Sequence, residues 1–413
     1  MSTLNVDKVD PSTGTALEIG TSGDTITVPS GATFVVAGTT EITGTNNVQR
    51  PNANPLIING DMAVAQRATS VTGGSTGYHT CDRWRWVQGT FDAVVDFAHE
   101  TLTSGDAYAD GFQKAYKYDV TTADITMAAA HYSIIQYKWE GQDIQCIKKG
   151  TANAQPVTLS FWVKSTKTGT FVSGLYDVDN TRNCSQAYTI SSTNTWEYKV
   201  VNFPADTTGV MDSNNSNSLN LNFYTSAGSD RTSGTLATTW ESYVAANVAV
   251  GQVNGVDSTS NTFHITGVQM EVGEYTSSTI PPFQHESYGD NLLRCMRYYN
   301  IFGNVASKPL GMAAFYSTTA VYVGPLTYPV EMRAVPTITV TGGSGDTYGT
   351  AGFVINHSSS NDWFQTFQSS DSTTKCAFMY ISSGVSGGDG DAGRGRCADA
   401  SNPFGKIEAS SEL

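Results

Sequence analysis

Seven tryptophans, Trp84, Trp86, Trp139, Trp162, Trp196, Trp240 and Trp363, are the side chains best equipped to do more than pack. An indole face can stack on the apolar face of a sugar ring, while amide, carboxylate or guanidinium groups beside it take the hydroxyls. The commoner job of a tryptophan is to cover a sheet face or plug a core, so the setting of each one matters. Trp84 and Trp86 flank Arg85 on one strand face and read as core. Trp162 alternates out of an apolar strand face into the company of Ser160 and Lys164. Trp363 sits in Asn361-Asp-Trp-Phe-Gln365, inside a polar stretch. Trp162 and Trp363 are therefore the candidate carbohydrate-binding residues.

Other chemistries find less support. Glycoside hydrolysis needs two carboxyl groups about 5–10 Å apart across the scissile bond. Asp177-Val-Asp179 and the pair Glu271 and Glu274 are the clusters on offer, and acidic turns are ordinary, so no catalytic residue is assigned and no enzyme is expected. A GxSxG nucleophile elbow does not occur. His79, His99, His131, His264, His285 and His357 include no i, i+4 pair of the kind that holds zinc, and His264 reads as an ordinary strand residue. Asp177-Val-Asp-Asn180 opens like a calcium loop but lacks its glycine and closing glutamate. Gly388-Asp-Gly-Asp391 reads as a turn, since Asp and Gly are favoured there for backbone reasons. Cys81, Cys146, Cys184, Cys295, Cys376 and Cys397 contain no CxxC pair, and free thiols in a reducing cytoplasm are the expectation. Neither a metal nor a cofactor is expected.

The elements that must position these side chains are short strands. Val157-Thr-Leu-Ser-Phe-Trp-Val-Lys164 puts Val157, Leu159, Phe161 and Val163 on one face and Thr158, Ser160, Trp162 and Lys164 on the other. Trp196–Phe203, Leu219–Phe223 and Phe263–Val272 read likewise, and the loops between them are rich in Asn, Ser, Thr and Gly. The spacing predicts one helix from Asp290, as N-cap, with Leu292, Leu293, Met296 and Tyr299 as its apolar stripe and Gly303 as a stop. Strands resume beyond it, as in Ala320–Val323 and Thr337–Val340, and end in the glycine-rich stretch 384–396. Residues 1–50 differ: Phe34 is their one aromatic, and short alternating segments with Ile26, Phe34 and Ile42 eight apart cannot build a core alone. Arg50-Pro-Asn-Ala-Asn-Pro55 marks a boundary.

Composition agrees with a β-rich chain. Of 413 residues, 15% are charged and 39% hydrophobic, against about 25% charged in typical domains. The net charge of −14 argues against nucleic acid, whose binding draws on Lys and Arg. No apolar run reaches the ~18 residues of a membrane span. The N-terminus lacks the basic region and apolar stretch of a signal peptide, so synthesis in the cytoplasm is expected.

Asn5-Val-Asp-Lys-Val-Asp-Pro-Ser-Thr-Gly-Thr-Ala-Leu-Glu-Ile19 with Thr25-Ile-Thr-Val-Pro-Ser-Gly-Ala32 resembles the N-terminal segment of marine bacteriophage tail fibre proteins. Asn54-Pro-Leu-Ile-Ile-Asn-Gly-Asp-Met-Ala-Val-Ala-Gln-Arg67 and Asp82-Arg-Trp-Arg-Trp86 resemble the opening of a jelly-roll module of phage tail proteins. Trp139-Glu-Gly-Gln-Asp143, Leu159–Ser165, Asn194–Tyr198, Ile265–Gly273 and Cys295-Met-Arg-Tyr-Tyr299 follow in the order such a module would have, and Glu331-Met-Arg-Ala-Val-Pro-Thr337 resembles the start of a following domain. The resemblance implies an all-β virion protein: a β segment at 1–50 for attachment to tail proteins, a jelly-roll carbohydrate-binding-like domain at 51–287, a connecting helix at 288–303 and a distal β domain at 304–413. It further implies a homotrimer in the phage tail that recognises host-surface polysaccharide, without membrane insertion. The alternatives are an architectural fibre that binds only virion proteins, and a tail-associated depolymerase.

Overall fold

The computed structural model describes residues 55–358, 360–398 and 405–413, so the expected N-terminal attachment segment lies outside the described residues. The chain is all-β and antiparallel, and residues 70–272 form a two-layer sandwich of jelly-roll type. One layer is six-stranded, in the order Ser70–Val71, Val94–Thr101, Lys114–Thr122, Thr262–Val272, Val157–Ser165 and Glu197–Phe203. The other is seven-stranded: Glu241–Ser242, Arg182–Ile190, Gly169–Asp177, Asn217–Ala227, Tyr132–Glu140, Arg85–Gly89 and Gly77–Tyr78.

Aromatic rings from the two layers meet between them. Trp86 lies 5.4 Å from Phe97 and 5.3 Å from Tyr118, and Phe161 lies 4.9 Å from Phe223. Trp84, Trp86 and Phe161 are fully buried, as the alternation predicts. Truncating a ring of this kind to alanine removes about 3–5 kcal/mol, because the dense interior cannot collapse onto the hole. Each central strand thus has one face committed to the core, while its other face is covered in places, as at Thr158 and Ser160, and hollowed into clefts in others.

The helix runs over Tyr288–Met296 and differs from expectation at both ends. Its N-cap is Ser287, whose hydroxyl accepts from the Asp290 backbone N–H, so Asp290 is the third helical residue and not the cap. Its buried face is Asn291 and Cys295, while Leu293 is exposed. It stops well short of Gly303 because Tyr299–Gly303 is a strand paired with Lys406–Ser410. That pairing, with Thr337–Thr341, makes a three-stranded sheet. Beside it is a second seven-stranded sheet, ordered Asn361–Phe364, Phe353–His357, Ala392–Cys397, Pro309–Ser317, Ala320–Thr327, Cys376–Ile381 and Gln368–Ser372. The glycine-rich stretch therefore ends in a strand. This C-terminal part has its own core around Phe315, Val323, Phe353 and Met379.

Buried charges tie the C-terminal part to the sandwich. Arg83 is stacked on Tyr298 and paired with Glu412. Arg67 lies between Asp82, at 3.5 Å, and Glu412, at 3.1 Å. Glu140 takes both Arg297 Nε and Nη2 at 2.8 Å and the Tyr298 hydroxyl at 2.6 Å. Burial opposes ionisation of Glu140, but these hydrogen bonds prevail and hold its carboxyl below the usual range. Among the described residues no helix is long and apolar enough to cross a membrane.

Candidate functional site

The outer face of the sandwich's seven-stranded sheet carries a cleft of about 350 Å³. Its floor follows from alternation in one strand. In Leu219-Asn-Leu-Asn-Phe-Tyr224, Leu219, Leu221 and Phe223 are fully buried in the core, which turns Asn220, Asn222 and Tyr224 outward. Register then builds two rows across the sheet. Gln136, Asn222, Gly174 and Ser185 lie side by side, and next to them Asn220, Tyr176 and Asn183. Gly174 leaves the centre hollow. A Cβ there would stand 3.1 Å from Ser185 Oγ and 3.8 Å from the Tyr224 ring.

Walls come from the chain that follows the central strand. The short helix Ser229–Thr232 sets Arg231 over the Tyr132 ring, with Cζ 3.5 Å from its centroid. Tyr243 meets Tyr176 edge-on at 5.3 Å. Val248 packs with Ile134, Val172 and Tyr224, and its carbonyl accepts from Ser185 Oγ at 2.8 Å. The result is a trough with tyrosine sides and an amide floor.

The amides are buried and incompletely bonded. Asn183, Asn220 and Gln136 are 3%, 7% and 8% exposed. Gln136 Nε2 donates to Asn222 Oδ1 at 2.9 Å, but Gln136 Oε1, Asn220 Oδ1 and both polar atoms of Asn183 have no partner among the described residues. A buried polar atom left unpaired costs about 1–3 kcal/mol. Side-chain amides offer both donors and acceptors, the set that vicinal hydroxyls satisfy. Among the described residues no carboxylate lines this cleft.

The residues singled out from the sequence lie elsewhere. Trp162 is half-buried on the outer face of the six-stranded sheet, where Nε1 donates to Asp110 Oδ2 at 3.0 Å and the ring lies 5.3 Å from Tyr198. It lines a separate cleft of about 500 Å³ with Phe112, Pro281, Pro282, Phe283 and His285. Trp363 is on the strand Asn361–Phe364 at the edge of the C-terminal sheet, half-buried against Tyr348 at 5.0 Å. The structure brings neither to the other, and neither to the tyrosine–amide trough. That trough was missed. Its signal was the Asn-x-Asn alternation in 219–223, which reads as a strand before anything shows what the outward amides meet.

Several of the remaining candidates are held by their neighbours. Asp177 is buried and paired with Lys149, which also reaches Asp206 at 3.0 Å. Burial opposes ionisation of Asp206, but hydrogen bonds from Arg182 and Lys149 hold its carboxyl low. His264 Nδ1 is 2.6 Å from Glu100 Oε2, and burial keeps the imidazole's pKa below its ordinary value. His131, Asp124 and Asp92 bring three possible metal-ligand atoms within 4.8 Å of one another. Asp124 already holds His131 Nδ1 at 2.6 Å, and the exposed Asp92 lies 3.9 Å from Nε2 of the buried imidazole, which leaves fewer free donors than the three or four ligands of a protein zinc centre. Gly388 N–H donates to Asp391 Oδ2 at 2.7 Å, closing that turn on itself. All six cysteines are free thiols.

No family model matches the chain, and no curated protein is similar to it. Solved structures align loosely. The enzymatically active domain of tailspike protein 4 of bacteriophage CBA120 is 14% identical with a TM-score of 0.26, covering 49% of this chain, which spans 21% of that one. The family 11 carbohydrate-binding module of a Clostridium thermocellum cellulase is 11% identical, TM-score 0.25, covering 50% of this chain and 98% of that one. A xylan-binding CBM22-2 domain from Paenibacillus barcinonensis is 15% identical, TM-score 0.23, covering 45% and 91%. Scores this low relate no residue of this chain to a residue of theirs.

Proposed function

We propose that the trough between Tyr132, Tyr176, Tyr224 and Tyr243 binds a polysaccharide chain without cleaving it. The observation that carries this reading is the set of buried, unpartnered amide atoms of Gln136, Asn183 and Asn220 beneath tyrosine rings. Sugar hydroxyls satisfy such atoms, and the rings take the apolar faces. With no carboxylate in the lining, the acid and base of a glycosidase have no place at this site. In the wider reading the chain is a tail fibre subunit, a homotrimer held to tail proteins through residues 1–50, that displays the trough to host-surface polysaccharide. This wider reading is supported by the sequence resemblance. Three weakly binding copies would gain avidity from their shared stem. Trp162 and Trp363, outside the trough, stay as candidates for secondary contacts of the same chemistry that add little to the affinity of the trough.

Affinity electrophoresis through gels containing bacterial surface polysaccharides tests the trough. Retardation of the native chain and its loss in Gly174→Leu are expected. Equal mobility of the two in a gel that retards the native chain contradicts the proposal. New reducing ends released from the polysaccharide would establish the depolymerase alternative instead.

A further inference from the structure

The trough's charge says more than its shape. The chain carries 37 acidic against 23 basic residues, yet among the described residues the one charged side chain lining the trough is Arg231. Arg231 makes no ion pair among the described residues; its guanidinium is held on the face of Tyr132. Register places Arg85 beside Gln136, and Lys138 beside Asn220, on strands of the same sheet at positions that share the outward face. Arg85 also has no carboxylate partner among the described residues. Lys138 Nζ donates to the Leu413 carbonyl at 2.7 Å. Burial, and after it the charges of Arg85 and Arg83, pull the Lys138 ammonium down to about 8 against the opposing charge of Glu412, which is itself paired with Arg67 and Arg83.

Cations gathered on one face of an acidic protein repel one another unless an anion comes to them. An arginine stacked on a tyrosine has lost part of its rotamer freedom in advance and presents a planar N–H edge that fits a carboxylate, sulfate or phosphate group. Tyr132 and Gln136 are four residues apart on one strand, about 13 Å at 3.3 Å per residue. Arg231 and Arg85 are thus spaced to meet separate charges along an extended chain.

We infer that the trough is selective for an anionic polysaccharide, with Arg231 as the residue that reads its charge. The inference rests on the proposed glycan role of the trough. Polygalacturonate, alginate and hyaluronan, each beside its carboxyl-reduced counterpart, keep the ring stacking nearly constant while removing charge. Dextran sulfate beside dextran separates sulfate from carboxylate recognition. Isothermal titration of the full chain against these pairs should show the acidic member of a bound pair at least about tenfold tighter. Raising NaCl from low to high concentration should weaken the acidic member and leave the neutral one unchanged, since salt screens charge and not stacking. Arg231→Gln should erase the difference between the members. Arg85→Gln, outside the wall helix, should narrow it without disturbing that helix. Equal affinity within the bound pairs, or a neutral glycan bound alone, overturns the charge inference and leaves the trough as a glycan site. No binding to any of these polymers together with no retardation in the surface-polysaccharide gels overturns both readings, and retardation there by neutral polysaccharides alone overturns the charge inference only.

Discussion

The two outer faces of the sandwich are built by the same alternation and end up chemically opposite. On the six-stranded sheet, Trp162 lies in a cleft of rings and prolines, and its one indole N–H is met by Asp110. On the seven-stranded sheet, four tyrosines surround amides whose hydrogen-bonding capacity is partly unspent. The first face is larger in volume and richer in large rings, but its indole donor asks for nothing more. The second carries a cost in the free protein, about 1–3 kcal/mol for each buried polar atom left unpaired, which a ligand bearing hydroxyls removes. Ring size draws the eye to a site; unsatisfied polarity in a hollow is the better sign of one.

The largest effect expected from this contrast is on binding. Gly174→Leu fills the floor of the trough and should weaken polysaccharide binding on the order of 100-fold, because a side chain there clashes with any ligand seated on the amides. Trp162→Ala, on the opposite face, should leave affinity within about twofold. Isothermal titration of both variants against one polysaccharide makes the comparison, and a reversed pattern would move the site to the Trp162 cleft.

A variant away from both clefts separates binding from general stability. Glu140 ends the strand that carries Gln136 and is held by Arg297 and Tyr298. Glu140→Gln should lower stability by about 1.5–3 kcal/mol at pH 7, the range for hydrogen bonds to a charged group, while leaving polysaccharide affinity unchanged. Because the folded-state pKa of Glu140 is depressed, its contribution is present above the unfolded value near 4.5 and is lost as pH falls through the lower folded value. Thermal melts of native and variant chains should therefore converge in acid. A gap that stays constant from pH 7 to pH 3 would show that the charge is not what Arg297 and Tyr298 hold.

The smallest expected effects have opposite signs on the two faces. Asn183→Leu removes two unpartnered polar atoms and should stabilise the free chain by about 1 kcal/mol while costing about tenfold in affinity. Asp110→Ala strips the Trp162 indole of its partner and should destabilise by up to about 1 kcal/mol with no change in binding. Chemical denaturation reads both shifts. A destabilised Asn183→Leu would mean that its amide is satisfied in the free protein.

Much of this architecture was legible in residue order. Val157, Leu159, Phe161 and Val163 alternate inward as the pattern predicts, and Trp84 and Trp86 are core. The helix was placed, but its ends were misread. Ser287-Tyr-Gly-Asp290 offers two capping side chains three residues apart, and the hydroxyl of Ser287 takes the Asp290 N–H. Tyr299 continues the apolar periodicity, yet strand pairing with Ser410, more than a hundred residues on, claims it. Long-range pairing also explains the missed trough. Gln136, Tyr176, Asn183 and Asn222 lie on four strands, and only register makes them neighbours. Trp162 stood out because its anomaly is local, a large ring on a polar strand face.

The most direct test is a crystal structure of the chain with an oligosaccharide of a polysaccharide it binds. The account predicts sugar hydroxyls within hydrogen-bonding distance of the Asn183 and Asn220 amides, with a sugar ring against Tyr176 or Tyr224. An oligosaccharide seated on Trp162 between Tyr198 and Phe283, with the amide trough uncontacted, would contradict it.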